Sequence, residues 1–209
     1  MAYINYLDEV KLSNKVYKKF PVILNNEHIL NRLVLKYFLS HRVVWSESTR
    51  RTYSKHLCDF FSQLEVENPE VSFDYIDDDW LEAYADQILE RNSNFPIYVS
   101  QILTTVINFL VWCEDNEYCK NLIGTASTFK IRIISNKDSF THQLIQYYSK
   151  QKSPLKLAPK EEWIEKVLAV EHFKSNSLET RFSVMVDWGK DAGLRAHEIC
   201  ALTIDQIPA

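Results

Sequence analysis

The chain has 209 residues, enough for one large or two small domains, and its hydrophobic content of 46% is ordinary for a protein with a packed core. Three glycines, Gly124, Gly189 and Gly193, are too few for a P-loop or a dinucleotide-binding loop, because those loops need several glycines where the backbone approaches phosphate. The formal net charge of −4 does not by itself indicate a nucleic-acid ligand, so the distribution of charge matters more than its sum.

Helical periodicity dominates the first half of the chain. Asn25 or Asn26 is predicted to cap a first helix, and Ser46 or Ser48 a second, which ends at the turn 67–69. The first apolar face consists of Leu30, Leu33, Val34, Tyr37 and Phe38. The second consists of Tyr53, Leu57, Phe60, Phe61 and Leu64.

Two further amphipathic helices follow. Asp77 or Asp78 is predicted to begin a third, because a carboxylate both caps a helix and favours its positive end. A fourth is predicted from about Pro96, since proline suits a first helical turn. Their apolar faces are Trp80, Leu81, Tyr84 and Ile88 in the third, and Val99, Ile102, Leu103, Val106, Leu110 and Cys113 in the fourth. Four such helices with short connections predict a compact α bundle.

The rest of the chain is less regular. Residues 129–134 alternate like a short strand or an extended linker, and residues 137–152 are predicted to form one more helix through Phe140, Leu144, Ile145 and Tyr148. Residues 153–159 contain two prolines outside any periodic pattern, which is typical of an interdomain linker. A new helix is predicted from Glu161, and a further one through Leu178, Phe182, Met185 and Val186.

Charge is unevenly distributed along the sequence. Residues 65–90 contain ten acidic residues and no Lys or Arg, namely Glu65, Glu67, Glu70, Asp74, Asp77, Asp78, Asp79, Glu82, Asp86 and Glu90. Residues 130–160 contain seven basic residues against one acid, Asp138. The basic residues are Lys130, Arg132, Lys137, Lys150, Lys152, Lys156 and Lys160. We therefore expect one face that repels nucleic acid and another that attracts it.

The four cysteines, Cys58, Cys113, Cys119 and Cys200, form no Cys-x-x-Cys pair, so we expect reduced, buried thiols and neither a zinc site nor a disulfide framework. No basic-then-apolar leader is present, and no uninterrupted apolar run approaches the ~20 residues that span a bilayer. These features predict a cytoplasmic protein with no membrane association and no metal, nucleotide or other cofactor.

In the segment 192–202, a predicted helix ends at Gly193 and the sequence Leu194-Arg195 follows. A second short helix is predicted after it, through Glu198 and Leu202. This segment, with Asp205, resembles the first catalytic-arginine box of the tyrosine recombinases, the phage-integrase family. Looser similarity extends over residues 48–61, 107–113 and 157–162. The resemblance implies a mainly α fold. It would comprise an N-terminal SAM-like core-binding bundle of four to five helices with an N-terminal arm over 1–152, a linker over 153–160, and the first helices of an incomplete mixed α/β catalytic domain over 161–209.

The chemistry of the family explains the arginine. Negative charge accumulates on the non-bridging oxygens of the scissile phosphate during phosphoryl transfer, and a fixed guanidinium stabilises it through two parallel hydrogen bonds. By resemblance, Arg195 would hold that phosphate, and Glu198, one helical turn on, would support it. The alternative is an exposed Arg195 paired locally with Glu198, which is a common surface arrangement.

The other catalytic elements of the family are a hairpin lysine, a His-x-x-Arg box, a further His or Trp and the nucleophilic tyrosine, all of which follow the first arginine. Here all eleven tyrosines precede Arg195, and no His-x-x-Arg string occurs. We therefore expect no strand cleavage by this chain, and expect a fragment of a longer recombinase or a truncated gene product. The parent enzyme would cut and rejoin DNA through a 3′-phosphotyrosine.

Double-stranded DNA is the partner that the resemblance implies, with self-association on DNA in the full-length form. The candidate phosphate contacts are Lys150, Lys152 and Lys156, then Arg50, Arg51, Lys130 and Arg132. A further cluster, Lys15, Lys18 and Lys19, lies in the N-terminal arm. The alternatives are a non-catalytic DNA-binding remnant or regulator of recombination, and a helical protein-interaction domain that uses the acidic residues 65–90.

Overall fold

A computed structural model describes residues 1–12, 15–67, 72–92, 95–136, 139–151, 180 and 182–187. The chain divides into two compact units, Met1–Pro154 and Leu155–Ala209, and the predicted linker 153–160 lies outside the described residues. In the second unit the described residues, 180 and 182–187, are helical, which agrees with the helix predicted through Phe182. The fold of the described residues is mainly helical, as predicted, and the elements below belong to the first unit.

The first unit opens with a long β-hairpin that the sequence analysis did not predict. Strands β1 (Tyr3–Leu12) and β2 (Lys15–Leu24) are antiparallel, in a register that runs from Tyr3 opposite Leu24 to Leu12 opposite Lys15. The period-two pattern that reveals a strand is missing, because residues 5–9 of β1 are all exposed and residues 20–23 of β2 are all buried.

Helix α1 (Arg32–Ser40) begins later than predicted. Its cap is Asn31, whose side chain accepts a hydrogen bond from the Val34 amide at 3.0 Å. The predicted caps were wrong: the Asn25 side chain instead accepts from the amides of Glu27 and Ile29 and so stabilises the preceding turn. Asparagine favours both arrangements, so the residue type alone does not choose between them.

The next three helices begin where the sequence predicts. Helix α2 (Glu47–Glu67) is capped by Ser46, whose hydroxyl accepts from the Thr49 amide at 3.1 Å. Helix α3 (Asp78–Arg91) is capped by Asp77 and follows a 3₁₀ turn at Phe73–Tyr75. Helix α4 (Pro96–Asp115) has its proline in the first turn. Among the described helices, α4 alone is long and apolar enough to cross a membrane, but 61% of its most apolar window is buried in the bundle, as in a core helix.

Short strands and one helix complete the unit. Strands β3 (Ile123–Gly124) and β4 (Ile131–Arg132) pair in parallel, and β5 (Ile134–Asn136) and β6 (Ser139–Thr141) pair antiparallel. Of the two predicted alternatives for residues 129–134, a short strand or an extended linker, strand is present at Ile131–Arg132 and from Ile134, and residues 129, 130 and 133 lie outside strands. Helix α5 (Gln143–Lys150) is shorter than the predicted helix 137–152, because Phe140 belongs to β6 and the His142 side chain caps the helix.

Candidate nucleic-acid interface

The predicted basic stretch begins with two cations that contact the acidic part of the chain. The Lys130 ammonium donates to the Asp74 carbonyl at 2.7 Å. The Arg132 amide donates to the Asp78 carboxylate at 3.3 Å, and its guanidinium Nε lies 3.8 Å from the other oxygen of that carboxylate. Arg132 is therefore partly compensated by a carboxylate at the start of α3, whereas the Lys130 ammonium is held by a main-chain carbonyl.

Two further contacts extend this arrangement along α3. The buried His142 places Nε2 2.9 Å from the same Asp78 carboxylate, and the Tyr148 hydroxyl donates to Asp86 at 2.7 Å. Burial, together with the Asp86 carboxylate, raises the pKa of Tyr148. The expectation of separate attracting and repelling faces is therefore not met at these residues, since Arg132, His142 and Tyr148 each contact a carboxylate of α3.

The other residues predicted for the site are only partly described. Lys150 is exposed at the end of α5, and its predicted phosphate contact stays a prediction. Lys152, Lys156, Arg195 and Glu198 lie outside the described residues, so their proposed roles stay predictions.

Arg50 lies in the interior, with 5% of its surface exposed. Its guanidinium donates to the Trp45 carbonyl at 2.6 Å and lies over the rings of Tyr17 and Phe20, 5.5 and 5.8 Å from their centroids. A side chain held between the hairpin and α2 has no surface for a phosphate. Arg50 thus has a structural place that the sequence prediction did not anticipate.

Arg51 is exposed, because it is turned by about 100° around α2 from Arg50. It borders a surface cleft of about 280 Å³ together with Lys19 and Tyr6 of the hairpin and with Asp8 and Glu47. Lys19 adopts φ 47°, which is uncommon for a residue other than glycine, and the ladder between β1 and β2 is interrupted at Lys19 and the facing Asp8. The structure therefore brings one residue of the predicted arm cluster next to a predicted contact on α2.

A second polar surface lies where α2 and α4 pack together. The buried His56 of α2 donates from Nδ1 to the Thr105 hydroxyl of α4 at 2.8 Å, a direction set by that hydroxyl's own donation to the Gln101 carbonyl. Burial lowers the pKa of His56 to about 4, with an opposing contribution from Asp59, so the imidazole is neutral near pH 7. This contact joins α2 to α4.

We define the α2–α4 face as Arg51, Thr52 and Lys55 of α2 with Gln101 and Asn108 of α4. Thr52 lies one turn before His56, and Gln101 and Asn108 lie about one turn before and after Thr105. All but the half-exposed Asn108 are exposed. The face therefore combines two cations with neutral groups that donate and accept hydrogen bonds.

The nearest acid on α2, Asp59, is compensated. Arg91 donates to both of its carboxylate oxygens, at 3.0 and 3.3 Å, and the Tyr84 hydroxyl donates to it at 2.9 Å. Two other acids, Glu47 at the start of the helix and Asp8 of the hairpin, border the cleft beside Arg51, where Lys19 adds a further positive charge. Lys55 is not among the contacts predicted from sequence, although its spacing of four residues from Arg51 places both on one side of a helix.

Within the described part of the chain, no group of three or more His, Cys, Asp or Glu residues could hold a metal ion. Comparisons with protein-family models, curated proteins and solved structures give no match to this chain. The similarity to tyrosine recombinases therefore depends on the quoted sequence segments alone.

Proposed function

We propose that the unit Met1–Pro154 binds duplex DNA through the α2–α4 face, as the DNA-binding module of a protein of the tyrosine-recombinase type. The observation that supports this most is the composition of that face: two exposed cations one helical turn apart, beside neutral polar side chains of a second helix. Protein contacts to DNA use these groups, with Arg and Lys at phosphates and with hydroxyls and amides at phosphates or base edges.

The shape of the face supports the same partner. An α-helix with its side chains is about 10–12 Å wide and fits the major groove, which is about 12 Å wide. Helix α2 has 21 residues and turns Thr52 and Lys55 outward, while Gln101 and Asn108 flank it on α4. Arg51 and Lys55 would bind phosphates and release counterions, and the amides would contact the backbone or the bases.

The catalytic part of the proposal depends on the Gly193-Leu194-Arg195 segment. In it, Arg195 stabilises charge on the scissile phosphate with support from Glu198, and the parent enzyme assembles on its DNA sites. Lys150, Lys152 and Lys156 remain proposed backbone contacts near the linker. A non-catalytic DNA-binding regulator would use the same α2–α4 face, so DNA binding and cleavage require separate tests.

The test is the salt dependence of binding to a 30-bp duplex, measured by fluorescence anisotropy between 50 and 200 mM salt. The slope of log K against log salt is negative, and each lost phosphate contact makes it shallower by about 0.9. R51Q/K55Q is therefore expected to make the slope shallower by about 1.8. The matched control, K130Q/R132Q, also removes two cations and is expected to leave the slope nearly unchanged, because Lys130 donates to the Asp74 main-chain carbonyl and Arg132 is paired with the Asp78 carboxylate.

A smaller salt slope in K130Q/R132Q with an unchanged slope in R51Q/K55Q would place the interface at the basic stretch. It would refute the α2–α4 face. Failure of the wild-type chain to bind DNA at 50 mM salt would refute the DNA-binding function itself. Unchanged circular dichroism and melting temperature establish that each variant is folded.

A further inference from the structure

A cavity of about 320 Å³ opens to the surface where the end of α1, the start of α2 and the end of α4 come together. We call it the ring cavity, because five of its eight lining residues carry rings: Tyr37, His41, Trp45, Tyr53 and Trp112. Its volume lies at the lower end of the range of about 300–1,000 Å³ that is typical of small-molecule sites.

The rings of this cavity hold one another in place. Tyr37 is only 2% exposed, and its ring contacts those of Trp45 and Trp112, with centroids 5.1 and 5.3 Å away and planes inclined by 77° and 57°. Trp45 is fixed further by His41, stacked on it at 4.3 Å, and by Tyr53, edge-on at 4.8 Å. Trp45 and Trp112 are half-buried, and both border the cavity. The aromatic lining is therefore largely pre-formed.

The electrostatic environment of the ring cavity is negative. Asp115 lines it from the last turn of α4, is exposed, and forms no ion pair among the described residues. A helix C-terminus carries partial negative charge, and α4 has no basic residue in its last turn to offset it. No described Lys or Arg lines the cavity, and Lys36 lies instead over the Tyr118 ring. Since aromatic faces are also negative, the cavity attracts a cation and repels a phosphate.

We propose that the ring cavity binds a quaternary ammonium group, whose charge is spread over apolar methyl groups. Such a cation is attracted to aromatic rings without needing hydrogen-bond acceptors, whereas a primary ammonium is strongly hydrated and would lose that hydration in an apolar lining. The Asp115 carboxylate at the rim balances the charge. The same group occurs in free choline-type molecules and in a trimethyllysine side chain.

This inference does not depend on the proposed DNA binding, although Asn108 belongs both to the ring cavity and to the α2–α4 face. It concerns the opposite chemistry, because the α2–α4 face offers cations to an anion and the ring cavity offers negative charge to a cation. Its test contains no DNA, so the two proposals succeed or fail separately.

The test is a titration of the full chain with choline chloride, which replaces sodium chloride at constant ionic strength. Tryptophan fluorescence reports binding, because Trp45 and Trp112 line the cavity. The matched ligand is 3,3-dimethylbutanol, which has the shape of choline with a carbon in place of the nitrogen and carries no charge. Choline is expected to bind about tenfold more tightly than this neutral isostere.

Two pairs of variants locate the site. D115N is expected to weaken choline binding about threefold and to leave binding of the isostere unchanged, whereas E117Q removes a nearby exposed carboxylate that does not line the cavity and should have little effect. Y53L removes a ring and is expected to weaken choline binding about threefold, whereas Y53F keeps the ring and should retain the wild-type affinity. Circular dichroism establishes that each variant is folded.

The outcomes are distinct. Equal affinity for choline and the isostere would show an apolar pocket and overturn the proposal, as would a choline affinity that neither D115N nor Y53L changes. Absence of saturable binding by the wild type up to 100 mM choline would overturn it too. A short peptide that carries trimethyllysine distinguishes the sources of the cation. Tighter binding of the peptide than of choline would assign the site to a protein side chain, and equal binding would assign it to a free small molecule.

Discussion

Protonation of His56 is expected to weaken the contact between α2 and α4. The imidazole is 4% exposed, and burial lowers its pKa from 6.5 to about 4. In the unfolded chain the same group binds a proton near pH 6.5, so the unfolded state is favoured progressively as the pH falls from 6.5 towards 4. At about 1.36 kcal/mol per pKa unit, roughly 3 kcal/mol of unfolding free energy is lost across this window.

The assay is urea unfolding between pH 7.5 and 4 for the wild type and for H56L, which removes the titrating group. Carboxylates titrate in both proteins, so the difference between their curves isolates His56. We expect the wild type to lose about 3 kcal/mol more than H56L over this range. The stability advantage of the neutral histidine should be fully present above pH 6.5.

The matched control is T105V, which removes the hydrogen-bond partner and leaves the imidazole buried. Because burial is the main cause of the lowered pKa, T105V should keep the wild-type pH dependence while losing about 1 kcal/mol at every pH. Parallel curves for wild type and H56L would refute the reasoning, since the histidine would then titrate alike in the folded and unfolded states.

In G124A, the added Cβ would meet the Phe129 ring at 2.5 Å, so thermal unfolding should show a loss of about 1–3 kcal/mol, and a normal melting temperature would contradict this close contact. N31A removes the α1 cap and should cost about 1 kcal/mol in urea unfolding, whereas N26A, at a predicted cap position that is not used, should cost little. Burial raises the pKa of Cys58 to about 11, so alkylation at pH 8, located by mass spectrometry, should be far slower at Cys58 than in the urea-unfolded chain, and equal rates would contradict the burial.

The helices were largely predictable from sequence because their signals are local. The caps Ser46 and Asp77 bond to amides three residues away, and Pro96 suits the first turn of α4 whatever surrounds it. The predicted helix cap at Asn25 and the predicted helix through Phe140 were wrong. Each residue type suits two local conformations, and the packing of neighbouring strands decides between them.

The candidate interface was much less predictable. Arg50 and Arg51 are neighbours in sequence, and only the packing of Tyr17 and Phe20 against α2 buries the first and exposes the second. Likewise, the sequence places the basic residues Lys130 and Arg132 far from the acidic residues around the start of α3. They meet because the fold brings together residues 56 and 54 positions apart.

Sequence by itself therefore determined the mainly helical class, most helix starts and the apolar residues of the core, since period and capping act over a few residues. Only the tertiary structure decided that residues 1–24 form a hairpin, which cations are exposed, and that α2 and α4 share a polar face. Those outcomes depend on contacts between residues distant in sequence, where burial and charge are properties of the assembled fold.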